Sequence, residues 1–366
     1  MADRDDYALV SKVAAEVPAP DLAYRPPVPQ GRHRIALVGA GGISFAHLDA
    51  YRSYGFDVAA ILSRDRAKAQ ARADEFFPDA EVMTDYAALL ARDDITVIDL
   101  TPHPEERVAL TEAALRAGKH VLSQKPFVTD LDTGERLCAL AEANGVKLAV
   151  NQNGRWAPHM AWMRAAVRAG LIGELTGVHC SLHWNHLWVK GTAFEEVPDL
   201  VLFDFGVHWF DFVTSITGRL ADRVQALAVA TPFAGIKPPM LSSALLDFGT
   251  AQASLIFDAA TPLGPSDTTY IAGTKGSLVS RGPDLGQQVV ELYTEAGVAR
   301  PALTGQWFND GFAGAMGALL VAAEDGTEPE NGARGNLMSL ANCFAALKAA
   351  RTGLAQMPGQ VRQREA

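Results

Sequence analysis

Arg34-Ile35-Ala36-Leu37-Val38-Gly39-Ala40-Gly41-Gly42-Ile43-Ser44 is the stretch that decides how this chain folds. Ile35 to Val38 is a short apolar run that stops at glycine, as a strand buried on both faces should. Ser44 to Tyr54 then reads as a helix, with Phe45, Leu48 and Tyr51 spaced for one face. The turn between them fits G-x-G-x-x-[small], with Ser44 where a third Gly or Ala is usual. The first glycine allows the tight turn. The second lets the backbone approach a pyrophosphate at the helix N-terminus. Such a match alone is often an ordinary glycine-rich turn. Strand before and helix after make Gly39, Gly41, Gly42 and Ile43 candidate cofactor contacts.

Working outward, Val58 to Leu62, Val97 to Leu100, Val121-Leu122 and Lys147 to Val150 read as further strands. Helices read at Arg66 to Phe76, Glu105 to Ala117 (closed by Gly118) and Thr133 to Ala143. This alternation predicts a doubly wound parallel sheet, with ligands at the carboxyl ends of the strands. The second strand ends Leu62-Ser63-Arg64-Asp65. An acidic residue there would hold the ribose 2′-hydroxyl of NAD. Ser63 takes that position, and Arg64 follows. A hydroxyl and a guanidinium suit a 2′-phosphate, which favours NADP over NAD. Asp65 swinging to the ribose is the alternative, and Arg64 as a solvated surface charge is the bland one.

After Gln152 the pattern changes. A helix at Ala161 to Ala169 precedes runs at Thr176 to Trp184, Arg223 to Val229, Ser242 to Phe248, Ala251 to Phe257 and Thr269 to Ile271. Strands in succession predict an α+β unit with a mostly antiparallel open sheet. Covering its free face with another copy predicts a homodimer or homotetramer. The organisation expected is an irregular arm over 1–32, broken by Pro18, Pro20, Pro26, Pro27 and Pro29, which could lie on a neighbouring subunit. A dinucleotide unit follows over 33–152 and a substrate and oligomerisation unit over 153–355. The last helix, Leu337 to Arg351, is expected to return to the first unit.

Composition narrows the classes. Hydrophobic residues are 48% and charged residues 20% of 366 residues, a globular balance. The net charge of −10 argues against a nucleic-acid partner. No apolar run approaches the roughly 20 residues needed to span a bilayer, so no membrane partner is expected. The start, Met1-Ala2-Asp3-Arg4-Asp5-Asp6-Tyr7, is acidic and lacks a secretory segment. Cys138, Cys180 and Cys343 are scattered without ligand spacing, which fits a reducing cytoplasm.

Four stretches in order carry a resemblance: Gly39 to Ile43; Thr101-Pro102; Gly118-Lys119-His120-Val121-Leu122-Ser123-Gln124-Lys125-Pro126; and Asp204-Phe205-Gly206-Val207-His208-Trp209-Phe210-Asp211. Ile271 to Leu278 matches a structural turn. Over residues 33 to 355 the chain resembles the Gfo/Idh/MocA family of sugar and polyol oxidoreductases. That resemblance implies a Rossmann fold, carbohydrate metabolism, and hydride transfer between nicotinamide and the carbinol or carbonyl of an aldose, pentose or inositol. Lys125, Asp204 and His208 match its catalytic positions. Thr101, Pro102, Gln124, Lys125, Arg155 and Trp156 match its cofactor contacts.

Gln124 departs from the family's Glu-Lys-Pro, and loss of that carboxylate should slightly ease deprotonation of Lys125. His208, with an ordinary pKa of about 6.5, would accept the hydroxyl proton. Lys125 would stabilise the developing alkoxide. Asp204 would orient the substrate or the imidazole; in one helix, i and i+4 spacing puts it on the face of His208. Asn153, Trp184 and His186 are candidate substrate contacts, because amides, imidazoles and indoles bond or stack on polyhydroxy compounds. His183 and His186 lack a third ligand, so no metal is expected. His103 could replace a family histidine near the next helix. Trp307 to Phe312 reads as core or lid. Alternatives in the family are an NAD-dependent glycoside-cleaving enzyme and a catalytically silent dinucleotide-binding regulator. A methyltransferase is remote.

Overall fold

A computed structural model describes residues 14–364, and the acidic start at Met1 to Tyr7 lies outside them. The first half of the chain forms one parallel layer. β1 (Arg34–Val38), β2 (Asp57–Leu62), β3 (Glu81–Met83), β4 (Val97–Leu100), β5 (His120–Ser123) and β6 (Leu148–Val150) alternate with α1 (Ser44–Tyr54), α2 (Arg66–Phe76), α3 (Tyr86–Leu90), α4 (Pro104–Arg116) and α5 (Leu131–Ala143). The strand order is β3-β2-β1-β4-β5-β6, with every neighbour parallel. The order reverses between β1 and β4, and the crevice at that switch is where this sheet type holds ligands. The apolar runs are continuous because helices cover both faces. β3 and α3 escape a reading by periodicity because they are three and five residues long. Phe45 is 47% exposed, so the buried face of α1 runs through Ser44, His47, Leu48 and Tyr51 instead.

α6 (Pro158–Arg168) leads into β7 (Leu175–His183), α7 (Val207–Thr217), β8 (Arg223–Val229), β9 (Leu241–Asp247), β10 (Gln252–Asp258), β11 (Ser266–Gly273), β12 (Gly276–Gly282), β13 (Val289–Thr294) and β14 (Gly297–Ala299). They make an eight-stranded sheet in the order β14-β13-β12-β11-β7-β10-β9-β8. Among the described strands of this sheet, only β7 and β10 pair in parallel. Alternation sends Val224, Leu246, Leu255, Phe257 and Ile271 to the covered face. It leaves Leu227, Leu245, Ile256 and Tyr270 exposed on the other.

Two long helices end the chain, α8 (Trp307–Asp325) and α9 (Ala333–Thr352). α8 packs on α1 and on β5 and β6. Glycines let it approach closely: a Cβ at Gly311 would lie 2.7 Å from the Asn153 carbonyl, and one at Gly314 2.2 Å from the Trp156 ring. α9 touches α5 and β6 on one side and α7 and β8 on the other. The described part of the arm, from 14 onward, lies along its own chain. Val17 N–H bonds Val298 O at 2.9 Å, Arg25 pairs with Asp310 at 2.9 Å, and Gln30 N–H donates to Glu324 at 3.0 Å. Among the described residues no helix is long and apolar enough to cross a membrane.

Candidate active site

At the switch between β1 and β4 the backbone makes a cradle. Gly39 has φ +102°, and a Cβ there would meet Thr101 Oγ1 at 2.5 Å and Pro102 Cδ at 3.1 Å. Thr101 Oγ1 donates to the Gly39 carbonyl at 2.7 Å, closing the turn onto β4. A Cβ at Gly41 or Gly42 would meet nothing within 4 Å. The glycines therefore differ: Gly39 is required by protein, and Gly41 and Gly42 border open space. Ile43, at the N-cap of α1, supplies no side-chain cap; Ser44 N–H closes onto the Gly41 carbonyl at 3.2 Å and Ala46 N–H onto the Ile43 carbonyl at 3.0 Å. Ser44 Oγ donates to the Gly41 carbonyl at 2.6 Å and accepts from Arg72 Nε at 3.1 Å. A pyrophosphate fits such a cradle.

Beyond β2, Asp65 caps α2, accepting from Ala67 N at 3.0 Å and Lys68 N at 3.3 Å. Its carboxylate is thus engaged rather than poised to swing toward a ribose. Ser63 Oγ accepts from Asp65 N at 3.2 Å, and Arg64 is exposed with Glu106 at 3.2 Å.

The second cluster forms where the chain leaves β5. Lys125 Nζ donates to the Asp204 carbonyl at 2.7 Å and to Asp204 Oδ2 at 3.2 Å. Asp204 is not on the helix of His208. It sits in a wide turn, Leu200–Phe205, ahead of α7, where Gly206 N–H reaches back to Val201 O at 2.7 Å. A Cβ at Gly206 would lie 2.5 Å from Leu202 O, which explains the glycine between Asp204 and His208. Asp204 and His208 therefore do not share a face of one helix. No hydrogen bond joins Asp204 to His208, and the carboxylate pairs with Lys125 instead.

His208 opens α7, with its ring 6.0 Å from that of Trp307. Its Nδ1 is buried without a hydrogen-bond partner. Burial, reinforced by Lys125, holds its pKa well below the ordinary value. His186 joins the cluster: its ring is 4.0 Å from Phe205, and Trp184 Nε1 donates to its Nδ1 at 2.7 Å. Burial pushes His186 down to about 4, against the pull of Asp204. Its Nε2 is also unpartnered.

Arg107 was missed. It is buried, its Nη1 donates to Pro102 O at 2.8 Å, and its Nη2 donates to Pro126 O, so it ties the two loops together. Burial lowers its pKa to about 9, opposed by Asp204. The signal was a cation in line with buried Thr111, Ala114 and Leu115 on one face of α4.

Residues 33–152 match the family described as "Oxidoreductase family, NAD-binding Rossmann fold", and residues 160–279 match the "GFO/IDH/MocA C-terminal domain". The chain belongs to the Gfo/Idh/MocA oxidoreductase family. A D-apiose dehydrogenase of Paraburkholderia graminis is 25% identical over 342 residues, 88% of either chain. The myo-inositol dehydrogenase Hyg17 of Streptomyces leeuwenhoekii is 29% identical, over 81% of this chain and 91% of its own. Among solved structures, an oxidoreductase from Agrobacterium radiobacter in complex with NAD+, L-tartaric acid and magnesium superposes with a TM-score of 0.80 at 23% identity. It covers 90% of this chain and 99% of that one.

Two contacts expected from the Gfo/Idh/MocA resemblance are turned inward in this chain. Arg155 Nε and Nη2 bond the two oxygens of Asp211 at 2.6 and 2.8 Å, and Nη1 donates to Glu330 O. Its fork is spent inside the protein. Trp156 is 4% exposed under Gly314 of α8. α8, remote in sequence, packs over the turn that carries them. Asn153 is likewise buried, whereas neighbouring Gln152 has both amide atoms buried and unpartnered. His183 turns to Ser181 at 2.9 Å and Asp258 at 3.4 Å, away from His186. His103 is the exposed N-cap of α4 and makes no side-chain cap bond. Cys138, Cys180 and Cys343 are buried free thiols.

Proposed function

We propose that this protein is an NAD(P)-dependent dehydrogenase or reductase acting on a CH–OH group of a sugar or polyol. The observation that carries the reading is the Lys125–Asp204 ion pair beyond the end of β5, with buried His208 within the field of that lysine, in the sheet that carries the Gly39–Ser44 cradle. The names of relatives, a D-apiose and a myo-inositol dehydrogenase, support this substrate class. Gly39, Gly41, Gly42, Ile43, Thr101 and Pro102 would hold the dinucleotide. The bound nicotinamide would supply the hydride acceptor or donor.

The protein's own groups do the rest. Lys125, held by Asp204, donates to the reacting oxygen and stabilises negative charge as it develops there. The Asp204 carbonyl at 2.7 Å and its carboxylate at 3.2 Å orient the lysine together. His208 takes the hydroxyl proton. Its lowered pKa keeps the imidazole in the accepting form throughout the neutral range. His186 and Trp184 form a wall from which an imidazole edge can meet substrate hydroxyls. NADP is favoured over NAD by Ser63 and Arg64, and by the engagement of Asp65 as a helix cap. A second copy covering Leu227, Leu245, Ile256 and Tyr270 would make a homodimer or homotetramer. Light scattering on wild type and Leu245→Arg tests it: a monomeric wild type removes the idea.

The test of function is a screen of aldoses and polyols with both cofactors, followed at the reduced nicotinamide band. His208→Ala should depress kcat strongly with dinucleotide binding intact. Undiminished turnover in that variant removes the assignment.

A further inference from the structure

Behind Lys125 lies a file of buried polar side chains that the reaction proposed above does not use. His47, Asp99 and Asn151 are fully buried, Tyr51 is fully buried, and Gln124 is 5% exposed. Tyr51 OH donates to Asp99 Oδ2 at 2.7 Å, and His47 Nδ1 meets the same oxygen at 2.7 Å. On the other side of the ring, His47 Nε2 faces Gln124 Nε2 at 3.4 Å and Asn151 Nδ2 at 3.3 Å. Gln124 Oε1 accepts from the Lys125 main-chain N–H at 2.6 Å and from Asn151 Nδ2 at 3.3 Å.

Donor and acceptor directions in this file are linked. The Asp99 carboxylate accepts, so His47 Nδ1 carries the hydrogen and Nε2 is left as the acceptor. An accepting Nε2 attracts the amide nitrogens of Gln124 and Asn151. With its nitrogen held there, Gln124 presents its oxygen to Lys125 N–H. The flipped amide would set a nitrogen against that N–H, donor against donor. Phe312 of α8 stands edge-on to the fully buried imidazole at 4.5 Å.

We propose that Asp99 and His47 are positioning residues that fix the amide of Gln124, and through it the main chain at Lys125. The proposal rests on the reading of Lys125 as a catalytic lysine. It assigns work to two fully buried side chains behind the lysine.

The test pairs a structural readout with a kinetic one. Long-range 1H–15N spectra of the wild type should place the His47 hydrogen on Nδ1. Asp99→Leu should move it to Nε2, and the Lys125 amide should then exchange faster with solvent. Asp99→Asn keeps an accepting oxygen and should preserve both signals. In turnover, Asp99→Leu and His47→Phe should lower kcat by about 10–100-fold, the usual effect of losing such a supporting contact. KM for the dinucleotide should stay within about twofold. If Asp99→Leu does not fold, His47→Phe carries the same comparison. A hydrogen on Nε2 in the wild type overturns the proposal. So does Lys125 amide exchange that neither Asp99→Leu nor His47→Phe changes. A wild type with the expected spectra, but no turnover in the sugar screen, would remove the proposed activity and leave this assignment standing.

Discussion

The sharpest prediction separates the two kinds of glycine in the cradle. Gly41→Val adds a side chain whose Cβ meets no protein atom within 4 Å, so the fold should be unaffected. The added methyls would occupy the space into which a pyrophosphate must come. Losing even one charge-assisted hydrogen bond from a helix-terminal amide costs about 1.5–3 kcal/mol, or about tenfold or more in affinity. Gly39→Ala behaves in the opposite way. Its φ of +102° is strained for any L side chain, and the new Cβ would sit 2.5 Å from Thr101 Oγ1. Strain of this kind is worth about 1–3 kcal/mol, so this variant should lose several degrees of Tm. The assays are NAD(P)H fluorescence titration and thermal melting on both variants. A Gly41→Val protein with wild-type Tm and wild-type affinity for both dinucleotides would refute the cradle as the pyrophosphate seat.

Three further outcomes follow from named contacts. Asp211→Ala strands the buried Arg155 fork, now held at 2.6 and 2.8 Å, and should destabilise the protein by about 3–5 kcal/mol in denaturant melts. A loss confined to dinucleotide affinity would return Arg155 to cofactor binding. His159 is buried, and burial pushes its pKa from 6.5 down to about 3. The unfolded chain therefore binds a proton below pH 6.5 that the folded chain refuses, and stability falls as pH drops through that window. Roughly 2 kcal/mol should be lost by pH 5, and His159→Phe should remove that part of the slope in melts at the two pH values. An unaltered slope would contradict the burial argument. Arg64→Ala should lower kcat/KM for NADP relative to NAD by about tenfold, if one charge-assisted bond to a 2′-phosphate is lost. An unchanged ratio would leave Arg64 as the partner of Glu106 alone.

Much of the first sheet was legible because its information is local. An apolar run that ends in glycine and an alternation of strand and helix each act within a few residues. α1, α2, β4 and β8 occupy the spans their sequence patterns imply. α8 was read only as an aromatic stretch at its start, since Gly311, Gly314 and Gly317 lower helix propensity. Those glycines make sense only beside Asn153, Trp156 and Pro27, which crowd them. Arg155 was placed at the cofactor for the same reason: nothing nearby in sequence announces Asp211 as its partner.

By itself the sequence determined the doubly wound sheet, the glycine turn, and the presence of Lys125, Asp204 and His208 as chemically apt groups. Their periodicities and short motifs need no distant partner to be recognised. Only the tertiary structure decided that Asp204 serves Lys125 rather than His208. Only there does Arg107 tie Pro102 to Pro126, and do Tyr51, Asp99, His47 and Gln124 line up behind the lysine. The Lys125–Asp204, His47–Asp99 and His47–Gln124 contacts join residues 79, 52 and 77 positions apart. Burial then makes each match of donor to acceptor count, because an unpaired polar group in a low-dielectric interior is costly.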